Sequence, residues 1–165
     1  MSSSFSQTAS TVRRLRLAAY QPDIAQNTGA MLRLCACLGL GFDIIMPCGF
    51  VLDDVKLRRV AMDYAALICH TMHVDWTAFR EQLQGRRLLL LTTRGTKPYT
   101  QLRYRPDDVL LVGRESAGVP EAVHQAATEW LMVPMVGAAR SLNVVTAAAM
   151  VIGEALRQTE EGEAS

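Results

Sequence analysis

The sequence predicts an α/β domain: a mostly parallel sheet flanked by helices. Short apolar runs alternate with longer segments of helical period, which is the pattern of strand–helix–strand units. The run at residues 86–93, through its four leucines at 88–91, and the run at 109–112 are apolar on consecutive positions, as strands covered on both faces must be. With 165 residues, 50% of them hydrophobic, the chain is about one domain and can bury a core without disulfides or metals.

The first strand is expected at residues 15–20, followed by the turn-rich QPDIAQNTG and a helix over 28–40 that Gly39 and Gly41 stop. A strand at 43–46 leads into a turn at 47–50, and Asp53 or Asp54 is placed to cap a helix carrying Lys56, Arg58 and Arg59. A β-like run covers 66–71, and a short helix spans 75–84 before the strand at 86–93. RGTKPYTQLRYRP then reads as a long basic connection. After the strand at 109–112, Pro120 fits the first turn of a helix reaching about 128; a last strand at 130–133 precedes an almost wholly apolar helix over 143–158. Residues 1–13 read as a flexible tail, 14–158 as one domain and 159–165 as a frayed end.

The final helix has too little polar surface to lie on a monomer uncovered, so either a two-fold interface or burial within the chain must cover it. A net charge of +1 announces no polyanion partner, but residues 86–106 hold six cations, two tyrosines and no acid. Such a stretch suits either RNA phosphates or a solvated loop. Cys35, Cys37, Cys48 and Cys69 form no CxxC pair, which predicts reduced thiols in a cytoplasmic protein. No metal site is expected, since Cys35 and Cys37 face different sides of a helix and His70 and His73 find no ligand partners. No run suits a membrane span.

Three loops follow predicted strands, at 21–29, 113–121 and 135–143, and in an open α/β sheet ligands bind beyond the strand ends. The loops offer Asn27, with Arg33 further along the helix; Gly113, Glu115 and Gly118; and Arg140, Ser141 and Asn143. Gly118 is not followed by Lys-Ser or Lys-Thr, the first strand is not followed by GxGxxG, and neither Ser116 nor Ser141 sits in GxSxG. Nucleotide hydrolysis, a dinucleotide fold and a serine hydrolase are thereby set aside.

Taken together, IAQNTGAMLRLCACLG, LLVGRESAGVPE and VPMVGAARSLNVVTAAAMVIGEAL resemble the three signature motifs of the SPOUT superfamily of RNA methyltransferases. The AYQPDIAQNTG start, LDDVKLRRVAMDY and LLTTRGT are similar to its TrmL-like tRNA (cytidine/uridine-34)-2′-O-methyltransferases. The resemblance implies a C-terminal deep trefoil knot, a homodimer, and methyl transfer from S-adenosylmethionine to the wobble ribose in the tRNA anticodon stem-loop, with S-adenosylhomocysteine as product. It implies cofactor contacts from Leu91, Gly113, Val133 and Ser141, and catalytic roles for Arg33, Glu115, Ser141 and Asn143. Arg33 would be either an unusually deprotonated base or the holder of the adjacent phosphate.

RNA contacts are expected from Asn27, Arg58, Arg59, Arg94, Lys97 and Arg140, with Tyr99 or Tyr104 stacking on an unpaired base. Two departures from the family pattern stand out: Gly113-Arg114-Glu115 where relatives often have Gly-Pro-Glu, and Val-Val-Thr after Asn143 where Leu-Ser is commoner. An enzyme acting on ribosomal RNA or another tRNA position, and a non-catalytic RNA-binding factor of the same fold, are the alternative readings.

Overall fold

The computed structural model describes residues 14–53, 55, 59 and 69–163. The expected tail, the capped helix with Lys56 and Arg58, and the start of the run at 66–71 lie outside the described residues.

Strands β1 (Arg16–Tyr20), β2 (Gly41–Ile45), β3 (Cys69–His73), β4 (Leu88–Leu91), β5 (Lys97–Pro98), β6 (Val109–Val112) and β7 (Glu129–Met132) form one sheet in the order β3-β2-β1-β6-β4-β7-β5. Every pairing is parallel. Successive side chains leave a strand on opposite faces, so β1 contributes Leu17 and Ala19 to one layer and Ala18 and Tyr20 to the other. The first layer receives α1 (Ala25–Leu38) through Met31, Leu32 and Cys35, and α4 (Val144–Glu163) through Ala148, Val151, Ile152 and Ala155. The second receives Phe79 of α2 (Trp76–Gln82) and Val123 of α3 (Glu121–Ala126).

Local chemistry sets the helix ends. Asp75 caps α2 by accepting from the Ala78 N–H at 2.8 Å. Gly39, at φ 68°, ends α1 in a left-handed conformation that costs glycine little. α1 begins at Ala25 rather than near 28, and α4 continues to Glu163, past the end expected at 158. The basic connection contains β5 and a 3₁₀ turn at Tyr99–Gln101; a two-residue strand is too short to show a period, and Pro98 suits the sheet edge it occupies. His70 and His73 lie on β3: His70 is exposed, and His73 is buried with Nε2 2.8 Å from Asp43 Oδ1.

The strand order reverses its course between β1 and β6. β2 and β3 extend the sheet to one side of that junction, and β6, β4, β7 and β5 extend it to the other. The crevice beyond the carboxyl ends at such a junction is where open α/β sheets bind ligands.

Candidate active site

A cavity of about 650 Å³ lies there, lined by the loops after β1, β4, β6 and β7 and by the start of α4. Leu91, Val112, Val133 and Met135 give it apolar walls, while Asn27, Glu115, Arg140, Ser141 and Asn143 bring polar groups. Its size and mixed lining suit a small organic ligand held by a few placed hydrogen bonds.

The loop after β6 is tight. Arg114 and Gly118 exchange backbone hydrogen bonds at 3.1 and 2.9 Å, and a Cβ at Gly113 would stand 2.8 Å from the Gly118 backbone. That turn aims Glu115 at the loop after β1. Glu115 Oε1 accepts from Asn27 Nδ2 at 3.2 Å and Oε2 from the Asp23 backbone N–H at 3.0 Å. Reciprocally, Asp23 Oδ1 accepts from the Glu115 N–H at 3.1 Å, and Oδ2 accepts from the Ser116 hydroxyl.

The network continues through Asn27 Oδ1, which accepts from Asn143 Nδ2 at 3.1 Å. The other end of the same Asn143 amide accepts from the N–H groups of Val145, at 2.9 Å, and Thr146, at 3.3 Å, capping α4. One unbroken chain of side chains, Glu115–Asn27–Asn143, therefore ties together three segments far apart in sequence. The two acids respond in opposite directions. The Glu115 side chain, and then the Ser116 hydroxyl, hold the Asp23 carboxyl down at about 2, whereas burial first and Asp23 second push Glu115 above its ordinary value.

Of the residues expected to bind ligand, Leu91, Gly113, Glu115, Val133, Ser141, Asn143, Asn27 and Arg140 all line this one cavity. Arg33 sits on the exposed side of α1, outside the lining. Arg59 is exposed, and Arg58 is outside the described residues. Arg94 pairs with Glu121 at 3.0 Å and lies over the Trp130 ring; Lys97 pairs with Glu129 at 2.7 Å.

The six cations of 86–106 do not form one surface. Arg86, Arg87, Arg103 and Arg105 lie before β4 and β6, at the opposite end of the sheet from Arg94 and Lys97. Tyr104 is no platform for a base either, because it is buried and its hydroxyl donates to the Tyr99 carbonyl at 2.7 Å. Alternation of apolar and basic residues cannot reveal which end of a parallel sheet each will reach.

Asp23 is the participant that sequence reasoning missed, whereas Arg114, expected as a departure from the family pattern, lines the cavity. An acid just before a helix reads as first-turn decoration, and only its clasp with Glu115 makes it part of the site. Arg114 lies over the Tyr20 ring, 5.4 Å from its centroid. Among the described residues no three His, Cys, Asp or Glu side chains are grouped to hold a metal ion, and no helix is long and apolar enough to cross a membrane.

Residues 14–153 match the model of the SpoU rRNA Methylase family. A Beijerinckia indica protein named tRNA (cytidine(34)-2'-O)-methyltransferase is 58% identical over 144 residues, covering 86% of this chain and 90% of its own. The Escherichia coli K12 protein of the same name is 40% identical over 146 residues, covering 87% and 93%. A solved structure described as "Structural insights into the 2-OH methylation of C/U34 on tRNA" superposes with a TM-score of 0.82 at 39% identity, covering 87% of this chain and 95% of that one.

Proposed function

This chain belongs to the SpoU methylase family, and from that membership we propose that it transfers a methyl group from S-adenosylmethionine to the ribose 2′-hydroxyl of nucleotide 34, a cytidine or modified uridine, in the tRNA anticodon loop. The observation that carries the reading is the Glu115–Asn27–Asn143 chain at the rim of the cavity. It fixes three polar side chains, from the first turn of α1, the loop after β6 and the cap of α4, beside a ligand-sized space, the preorganisation that a displacement reaction demands.

The donor set fits the cofactor. Leu91, Val112 and Val133 offer apolar walls for the adenine, the tight Gly113–Gly118 turn lets backbone approach closely, and Ser141 stands at the polar rim. When bound, S-adenosylmethionine supplies a methyl carbon on a sulfonium sulfur, which leaves as the neutral thioether of S-adenosylhomocysteine. Transfer at such a carbon calls for alignment and removal of the hydroxyl proton, and needs no metal. Ser141 and Asn143 orient the ribose, and Glu115 holds Asn27 and with it Asn143. Arg33 engages the 2′-hydroxyl or its neighbouring phosphate; a guanidinium is normally protonated, so the phosphate role asks less of it.

Arg140 and Arg59 provide exposed cations for the RNA, whereas Arg94 and Lys97 would exchange their carboxylate partners for phosphates. The proposal includes the C-terminal trefoil knot and a cytoplasmic homodimer. The exposed stripe Thr146, Met150 and Gly153 along α4 supports pairing, since it offers an apolar side chain between two small ones.

The test is transfer of labelled methyl to purified total tRNA with nucleoside mapping. Label on the 2′-oxygen of nucleotide 34, lost in Arg33→Ala, is expected. Label at another tRNA position, or transfer only to ribosomal RNA offered in a parallel reaction, would move the substrate, and tRNA binding without transfer would leave a non-catalytic factor.

A further inference from the structure

We propose that Asp23 is a positioning residue for methyl transfer: it holds the loop after β6 so that Glu115 anchors Asn27 and, through Asn27, Asn143. This rests on the function proposed above.

The geometry is a two-way clasp. The Asp23 backbone N–H donates to Glu115 Oε2 at 3.0 Å while the Glu115 N–H donates to Asp23 Oδ1 at 3.1 Å, and the Ser116 hydroxyl takes the remaining Asp23 oxygen. Each carboxylate thus satisfies the other residue's backbone, and neither loop can shift without breaking bonds on both sides. Asp23 is itself fixed from a fourth loop, the one after β2. The Gly49 N–H donates to the Pro22 carbonyl at 2.9 Å, and a Cβ at Gly49 would lie 2.6 Å from Asp23 Cβ.

No motif in the sequence of that loop marks it as functional, yet it backs the residue on which the clasp depends. Loss of the Asp23 carboxylate leaves the Glu115 N–H and the Ser116 hydroxyl without their acceptor, so the loop that carries Glu115 is tied only by the Asp23 N–H to Oε2, and the Glu115–Asn27–Asn143 chain loses the support of its end. Misplacement by about 1 Å costs up to about a hundredfold in an oriented reaction.

The experiment compares Asp23→Ala, Asp23→Asn and the wild-type protein for kcat and KM of tRNA methylation, Kd for S-adenosylhomocysteine, and thermal midpoint. In Asp23→Ala, kcat should fall about tenfold or more with the cofactor-product Kd within about twofold. Asp23→Asn keeps an acceptor for the Glu115 N–H and should recover most of kcat. Should Asp23→Ala not fold, Asp23→Glu carries the same test, since one added methylene displaces the carboxylate and should lower kcat. Unchanged kcat in the displaced or deleted variant overturns the inference, as does an Asn variant no better than Ala. A wild-type protein that methylates no tRNA overturns the proposed function and this inference with it.

Discussion

The two ends of the sheet spend polar side chains in different ways. Ahead of the strands, charge is buried and matched. Arg87 grips Asp108 with two hydrogen bonds of 2.8 and 2.7 Å, and Arg16, at the start of β1, grips Asp43 with two of 2.6 and 3.0 Å. Asp108 is fully buried and also accepts the Arg105 backbone N–H, so both of its carboxylate oxygens are answered within the fold. Beyond the strands, the Asp23–Glu115–Asn27–Asn143 network is satisfied along its length but opens on a cavity, with exposed Arg140 and Ser141 at the rim. One end uses charge to hold strands together, and the other uses it to hold side chains ready for a ligand.

The sharpest way to break this contrast is Asp108→Ala. It strands the Arg87 guanidinium in a mostly buried place, and such half-broken pairs cost about 3–5 kcal/mol. Chemical denaturation should register that loss, while methyl transfer per folded molecule stays at the wild-type value.

Asn143→Ala should reverse the pattern. Loss of an oriented donor at a reaction centre costs about a hundredfold in kcat, whereas loss of a helix cap costs only about 1 kcal/mol of stability. Steady-state kinetics read beside a melting curve separate the two effects.

The smallest effect concerns pH. Glu115 titrates above its ordinary 4.5 in the folded protein, through burial first and Asp23 second. The folded state therefore holds that proton more tightly than the unfolded chain; the resulting stabilisation is full below 4.5 and is lost as pH rises through the raised value. Glu115→Gln should remove this component, so its stability curve should lack the decline seen in wild type across that window, while Asp108→Ala should retain it.

Much of the architecture was readable from local pattern. The strand expected at 109–112 is β6 residue for residue, and the strand expected at 86–93 contains β4. The loops expected to share a site line one cavity, because parallel strands deliver all their following loops to the same end. Tyr104 and the basic segment depart from the sequence expectation for related reasons. Exposure depends on which elements pack together, and a basic run that flanks a strand on both sides is divided between the two ends of the sheet, as Arg87 and Arg94 are by β4. β5 escaped notice because its two residues acquire strand character only by pairing with β7.

Sequence by itself determined the fold class, the family and the three loops that carry chemistry, since apolar period, turn residues and signature motifs are local properties of the chain. Tertiary structure alone decided which cations are spent on carboxylates, where Arg33 stands relative to the cavity, and that Asp23 belongs to the site. The physical reason is separation along the chain: the clasp joins residues 92 apart and the Asn143–Asn27 bond residues 116 apart, and no local pattern records which distant polar groups folding will bring within 3 Å.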